Sequence, residues 1–77
     1  PEGDLVVIKH NDRPGVIGKV GSLLAERGIN IAAMQVGRSD VGGEAIMILT
    51  VDKYLEDTDV QALNEFEEIE KLTAMEL

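Results

Sequence analysis

With 77 residues, 44% of them hydrophobic, the chain has room for one small globular domain over residues 1–77. It has no cysteine, which excludes disulfides and thiolate metal sites, and its net charge of −8, with one Tyr, one Phe and no Trp, argues against nucleic acid as a partner. Because no apolar run approaches the ~20 residues that span a bilayer and no signal-peptide pattern opens the sequence, we expect a cytoplasmic protein without a membrane partner.

The first predicted strand is the apolar run Leu5 to Ile8, whose composition is typical of a strand buried on both faces. The residue before a proline avoids the α region, and proline favours the first helical position. We therefore predict Arg13 as the N-cap and Pro14 as the first residue of a helix that runs to about Arg27. On this count Asp12 lies one position too early to cap the helix, so its carboxylate is free for another partner.

This predicted helix has two different faces. The core-facing stripe consists of Val16, Val20, Leu23 and Leu24. The second face carries only small residues, Gly18, Gly21, Ser22 and Ala25. Because a glycine inside a helix costs roughly 1 kcal/mol relative to alanine, we expect a neighbouring backbone, a second subunit or a ligand to approach this second face closely. Gly28 fits the C′ position that ends the helix.

Two apolar runs around a turn predict a β-hairpin. The second strand extends from Ile29 to about Arg38, the turn is Ser39–Gly43, and the third strand is Ala45–Val51. The third strand is apolar on both faces. Because one helix layer covers only one face of a sheet, we expect the other face to pack on something outside the domain.

The remaining residues predict a second helix and a final strand. The helix opens at Asp57–Asp59 with acidic residues in its first turn, and its buried stripe is Val60, Leu63 and Phe66. The strand extends from Glu68 to Leu77, with apolar residues Ile69, Leu72 and Met75. The resulting βαββαβ order predicts an α+β, ferredoxin-like fold, in which a four-stranded antiparallel sheet of order 4-1-3-2 carries both helices on one face.

The corner between the first strand and the first helix, His10 to Ile17, is the candidate binding site. A helix start offers unpaired N–H groups and the positive end of a dipole, so the backbone near Val16 and Ile17 suits a carboxylate. Asp12 and the amide oxygen of Asn30 suit an ammonium group, and His10 suits a hydroxyl. Because Asn30 starts an edge strand, we expect it to meet the corner of a second copy. The set predicts a site for a free amino acid.

Plainer readings apply to each residue taken singly: a structural histidine, a loop aspartate and a turn asparagine. Other chemistry has less support. The spacing of Gly15, Gly18 and Gly21 matches neither the dinucleotide fingerprint nor the P-loop, and the acidic balance contradicts an RNA clamp loop. No nucleophile stands beside His10, and no cluster has metal-ligand spacing. We therefore expect no catalytic residue, metal or cofactor in this domain.

The sequence resembles the ACT domain family, the small amino-acid-sensing modules of metabolic enzymes. The stretches His10–Gly15, Gly28–Arg38 and Gly42–Met47 carry this resemblance. Together they are similar to the C-terminal regulatory domain of the D-3-phosphoglycerate dehydrogenase family. The resemblance implies a longer parent enzyme with catalytic domains, an oxidoreductase that uses NAD in serine biosynthesis and that serine inhibits in many members.

The resemblance also implies a ligand and a partner. L-serine would lie between two domains paired side by side into one eight-stranded sheet. It would contact His10, Asp12 and, from the second copy, Asn30, with backbone help near Val16 and Ile17. Two other functions stay open, an ACT domain of L-serine dehydratase and a dimerisation module without ligand. A stand-alone enzyme ranks last, because the sequence offers no nucleophile, base or metal cluster.

Overall fold

The structure is a computed structural model that describes residues 3–38 and 43–77. The element order is βαββαβ: β1 Asp4–Asn11, α1 Val16–Glu26, β2 Ile31–Arg38, β3 Glu44–Val51, α2 Asp57–Asn64 and β4 Ile69–Glu76. All strand pairs are antiparallel, and the sheet order is β2-β3-β1-β4. This is the predicted order 4-1-3-2 read from the other edge, so the fold prediction is confirmed.

One face of the sheet carries the core. Because successive side chains of a strand point to opposite faces, alternate residues of the two central strands are buried: Val6, Ile8, Ala45, Met47, Leu49 and Val51. Both helices pack on this face through Val16, Val20, Leu24 and Leu63. The predicted stripe of α1 is confirmed except that Leu23 is only partly buried. In α2, Leu63 is buried as predicted and Val60 is only partly buried. Phe66, also partly buried, lies two residues beyond the end of this helix, so its predicted place in the helical stripe is wrong.

No helix formed by residues 3–38 and 43–77 covers the opposite face of the sheet. Leu5 and Val7 of β1 are half-buried there, and Ile46 and Ile48 of β3 are 42% and 38% exposed. The prediction that β1 is buried on both faces is therefore wrong, because both helices lie on the same side. That this open face packs on something outside the domain stays a prediction.

Helix α1 begins two residues later than predicted. Gly15 is the N-cap, with φ 91° and ψ −11°, and the N–H of Val16 donates to the carbonyl of Arg13 at 3.4 Å. Proline followed by a glycine of positive φ is the preference of a type II turn. Pro14 and Gly15 therefore form a turn before the helix, and the prediction of Arg13 as N-cap and Pro14 as the first helical residue is wrong.

The other end of α1 is closed by backbone hydrogen bonds. Gly28 has φ 73°, its N–H donates to the carbonyl of Ala25 at 3.0 Å, and the N–H of Ile29 donates to Leu24 at 2.9 Å. This is a Schellman motif, with Leu24 and Ile29 both buried as its hydrophobic contact. The role of Gly28 is confirmed. Because Ile29 belongs to this motif, β2 begins at Ile31 rather than at Ile29.

Strands β2 and β3 pair as the predicted hairpin, while residues 39–42 of the predicted turn lie outside the described residues. The sheet order leaves β2 at one edge and β4 at the other. Within residues 3–38 and 43–77, neither helix has the length and apolar character needed to cross a membrane.

Candidate functional site

Three parts of the chain meet at one end of the sheet: the end of β1, the turn before α1 and the end of β2. Arg38 of β2 pairs with Ala45 of β3, and Ala45 pairs with His10 of β1. These three residues form one row, and the buried Ala45 and His10 show that the row lies on the helix-covered face. The corner therefore lies beside the end of the edge strand.

Backbone hydrogen bonds hold the corner in place from both sides. The N–H of Asp12 donates to the carbonyl of Gly43 at 2.7 Å, and the N–H of Asn11 donates to the carbonyl of Glu68 at 2.9 Å. The loop after β1 is thus tied to the chain just before β3 and just before β4. Its side chains are positioned by these neighbours rather than by the helix that follows.

His10 is buried and keeps one ring nitrogen without a partner. Its side chain is enclosed to 2% exposure, and Nδ1 lies 2.9 Å from the carbonyl oxygen of Asn11. Because a carbonyl oxygen only accepts, Nδ1 carries a proton, and in the neutral form of the ring Nε2 is then an acceptor. This Nε2 is buried without a hydrogen-bond partner among the described residues. An unmet buried acceptor costs free energy, so the ring offers a position for a donor such as a hydroxyl.

Asp12 has a partner that the sequence analysis missed. Its Oδ2 lies 3.0 Å from Nε of Arg38, and the two side chains are 15% and 60% exposed, respectively. As predicted, the Asp12 carboxylate does not cap α1 and has another partner, which in the single chain is Arg38. Arg38 reaches it because the long guanidinium side chain spans β3, since two interstrand spacings amount to about 10 Å.

The start of α1 keeps backbone donors open. No side chain caps the helix among the described residues. Of the two residues predicted to supply N–H groups, Val16 is part of the core and its N–H makes a long bond of 3.4 Å to Arg13. Ile17 is 45% exposed. An anion at this helix start would therefore meet the N–H of Ile17 rather than that of Val16.

Asn30 lies at the other end of the sheet. Its neighbour Ile31 pairs with Val51, which is six positions along β3 from the residue paired with His10. Six strand residues span about 20 Å, so Asn30 does not reach the corner of its own chain. Its backbone is fixed by Asp52, whose Oδ1 accepts from the N–H of Asn30 at 3.0 Å. The residue itself is exposed.

A second polar contact near the helix start also escaped the sequence analysis. Lys19 donates from Nζ to Oε2 of Glu68 at 2.6 Å, and the Glu68 side chain is 8% exposed. This hydrogen bond from Lys19 is the main cause that lowers the pKa of Glu68 below its ordinary value. The lysine also lies 5.8 Å from the centroid of the Phe66 ring, a cation–π distance.

The two missed contacts differ in how the sequence signals them. In sheet order 4-1-3-2 the ends of the first two strands lie at the same end of the sheet, so an arginine ending one strand and an aspartate following the other suggest the pair Arg38–Asp12. Lys19 and Glu68 are 49 positions apart, and no local pattern connects them.

Other places in the structure offer less. A cavity of ≈ 520 Å³ at the far end of α1 includes Arg27, Asp52 and Asp59 in its lining. These polar side chains already have partners, since Arg27 pairs with Asp59 at 3.1 Å and Asp52 accepts from the backbone. Across the described part of the chain, no group of three or more potential ligands is placed to hold a metal ion.

Comparisons with known proteins identify one matching family and several related enzymes. The family model described as "ACT domain" matches residues 5–70. Over 77 residues the chain is 49% identical to "D-3-phosphoglycerate dehydrogenase" from Bacillus subtilis (strain 168) and 44% identical to the protein of the same name from Methanocaldococcus jannaschii. Each match covers 100% of this chain and 15% of the relative. The "Probable L-serine dehydratase, beta chain" of Bacillus subtilis is 34% identical over 68 residues, 88% of this chain and 31% of that protein.

A solved structure shares the fold. The ACT domain from GTP pyrophosphokinase of Chlorobium tepidum superposes with a TM-score of 0.74, covering 97% of this chain and 100% of that chain at 14% identity. At this identity the likeness shows the fold alone.

Proposed function

The chain belongs to the ACT domain family, and from this premise we propose that it is a regulatory domain that binds L-serine. It acts within a D-3-phosphoglycerate dehydrogenase, where serine controls catalytic domains whose cofactor is NAD. The observation that carries the ligand proposal is the buried Nε2 of His10 at the corner, for which the described residues supply no hydrogen-bond partner. A serine hydroxyl is a donor that meets this acceptor.

The other two polar groups of serine have partners in the same corner. The carboxylate binds at the start of α1, where no side chain in the described part of the chain caps the helix and the dipole favours negative charge. The ammonium group binds the carboxylate of Asp12, which is 15% exposed. The corner thus supplies a partner for each polar group of a hydroxy amino acid. Nε2 of His10 accepts from the hydroxyl, the N–H groups at the start of α1 donate to the carboxylate, and the Asp12 carboxylate binds the ammonium group.

The second half of the site comes from a second copy of the domain. Strand β2 is an edge strand, and pairing it about a two-fold axis with β2 of a second copy is antiparallel. Such pairing brings Asn30, at the start of one strand, opposite Arg38, at the end of the other. The same pairing also covers Val36 of β2, which is 39% exposed. Met47, the residue of β3 paired with Val36, is buried on the helix-covered face.

Calorimetric titration of the 77-residue chain with L-serine, with sedimentation velocity in parallel, tests this proposal. We expect binding heat, more dimer and a higher thermal midpoint, because a ligand that binds the native state stabilises it. D-serine is the matched control, since its three polar groups have the opposite arrangement. Absence of heat and of any change in association at millimolar L-serine would contradict the proposal.

The variant Asn30→Ala tests the contribution of the second copy. Hydrogen bonds to charged groups contribute about 1.5–3 kcal/mol, so we expect serine affinity to fall by about tenfold or more. Thermal stability without serine should change little, because the residue is exposed. Asn64→Ala, an exposed asparagine at the end of α2, is the matched control and should bind serine normally. Unchanged affinity in Asn30→Ala would rule out the bridging geometry.

An ACT domain of an L-serine dehydratase is the second candidate, favoured by the 34% identity to the beta chain of that name. Assays of the full-length protein separate the two, because NAD-dependent oxidation of D-3-phosphoglycerate and dehydration of L-serine have different products. A dimerisation module without ligand predicts that no amino acid raises the thermal midpoint.

A further inference from the structure

We propose that Arg38 occupies the ligand's place on Asp12, and that the ammonium group of an incoming amino acid must displace it. This inference rests on the proposed function and adds a competing cation that is built into the site. Arg38 is therefore a residue that sets ligand affinity and specificity, rather than a structural partner of Asp12.

The exposure of the two side chains supports displacement. Nε of Arg38 lies 3.0 Å from Oδ2 of Asp12, yet the arginine is 60% exposed while the aspartate is 15% exposed. The guanidinium can leave the contact and remain in water. The Asp12 carboxylate, which is only 15% exposed, loses more free energy than the guanidinium when the pair separates. An unpaired carboxylate with little access to water is unfavourable. Asp12 therefore needs a cation, and Arg38 supplies one until another arrives.

The position of Arg38 allows it to compete with the ligand's ammonium group for Asp12. It is the last residue of β2, and the two-fold pairing of edge strands brings Asn30 of the second copy to this end of β2. The arginine side chain thus extends across the gap between the two halves of the site. Two cations in one partly enclosed gap repel each other, so an ammonium group that binds Asp12 must expel the guanidinium.

Competition of this kind has two consequences for the ligand. It lowers the apparent affinity for amino acids, because only the fraction of molecules with Asp12 open is competent to bind. It also confines the effect to ligands that carry an ammonium group. A hydroxy acid with the same carboxylate and hydroxyl but no ammonium leaves Arg38 on Asp12, and its affinity does not depend on the arginine.

Titrations of three variants with two compounds test the inference. Arg38→Gln removes the competing charge and should bind L-serine about fivefold more tightly, the size expected for loss of a partly exposed ion pair. The same variant should gain nothing for 3-hydroxypropanoate, which is serine without its ammonium group. Lys71→Gln is the matched control, since Lys71 is an exposed residue of β4, the strand at the sheet edge opposite β2. It changes the net charge equally and should leave both affinities unaltered.

Arg38→Lys keeps a cation at the position and should retain an affinity for L-serine close to that of the wild-type chain. If wild type binds L-serine and Arg38→Gln binds it equally or more weakly, the inference is overturned and the proposed function stands. A gain for 3-hydroxypropanoate as large as that for L-serine, or an equal gain in Arg38→Lys, also overturns it. If neither wild type nor Arg38→Gln binds L-serine at millimolar concentration, the proposed function fails and the inference fails with it.

Discussion

The two ends of α1 differ in how completely their polar groups are satisfied. At the C-terminal end, Gly28 and Ile29 donate to the last carbonyls, and the left-handed conformation of Gly28 makes this closure possible. At the N-terminal end, no side chain caps the helix, and His10 beside it keeps a buried acceptor without a partner among the described residues. Because native structures leave few buried polar groups unsatisfied, the closed end is a structural feature and the open end is a candidate for binding.

The same difference separates two Asp–Arg ion pairs. Asp59, at the closed end, uses both oxygens: Oδ1 accepts from Arg27 at 3.1 Å, and Oδ2 accepts from the N–H of Glu56 at 2.9 Å. This second bond is part of a capping box at the start of α2. Asp12, at the open end, pairs with the last residue of an edge strand. Similar charges thus fix a helix start in one place and lie at the proposed binding position in the other.

Shortening Leu24 breaks the closed end and has the largest expected effect on stability. The side chain is 1% exposed and packs in the core beside Ile29. Leu24→Ala should lower the free energy of unfolding by about 2–5 kcal/mol, because it removes buried methyl groups and leaves a cavity. Leu23→Ala is the matched control, and its loss should be smaller because Leu23 is only partly buried. Urea denaturation measures both, and equal losses would contradict the assignment.

Alanine substitutions of two glycines, one inside α1 and one just after its C-terminal end, should change the free energy of unfolding in opposite directions. Gly28→Ala should lower the free energy of unfolding by about 1–2 kcal/mol, because a Cβ is strained at φ 73°. Gly21→Ala should raise it by about 0.5–1 kcal/mol, since Gly21 is inside α1 and its Cβ would meet no atom within 4 Å. Thermal unfolding of both variants checks the signs. If Gly21→Ala loses dimerisation or serine binding while Gly28→Ala keeps both, a partner or a ligand contacts the small-residue face of α1.

The sequence predicts the sheet order because hydrophobic periodicity and strand spacing are local signals, and the βαββαβ order then leaves few topologies. The start of α1 is predicted wrongly for a physical reason. Pro14 suits both the first turn of a helix and a type II turn, and local preference does not decide between them. The backbone bonds of Asn11 and Asp12 to residues far along the chain fix the loop so that the helix begins after Gly15.

The candidate site is predictable as a set of residue types, whereas of its contacts only the pair Arg38–Asp12 is suggested, and only once the sheet order is known. His10 and Asp12 stand out because of where they lie between a strand and a helix. The partner of Asp12 depends on an arginine two strands away, and the unmet Nε2 of His10 depends on the carbonyl that Nδ1 reaches. Such details follow from the folded chain, since they join residues whose proximity no local pattern encodes.

The smallest expected effect is a change in the pH dependence of stability, which depends on Glu68 and Glu70. The hydrogen bond from Lys19 lowers the pKa of Glu68, so this pair stabilises the fold above the ordinary value of 4.5, and the contribution is lost as the pH falls through the lowered pKa. Glu70 behaves oppositely: its hydrogen bond with Glu44 is the main cause that raises its pKa, so its ionised form is a penalty at neutral pH that acid relieves. Lys19→Gln should therefore be less stable than wild type at pH 7, and Glu70→Gln more stable. Urea denaturation across pH 3–7 should show the Glu70→Gln difference shrinking first, as the pH falls through the raised pKa towards 4.5. The Lys19→Gln difference should shrink only below pH 4.5, as the pH approaches the lowered pKa of Glu68. A difference in Lys19→Gln that persists at pH 3 would show that the lysine acts through packing on Phe66 instead.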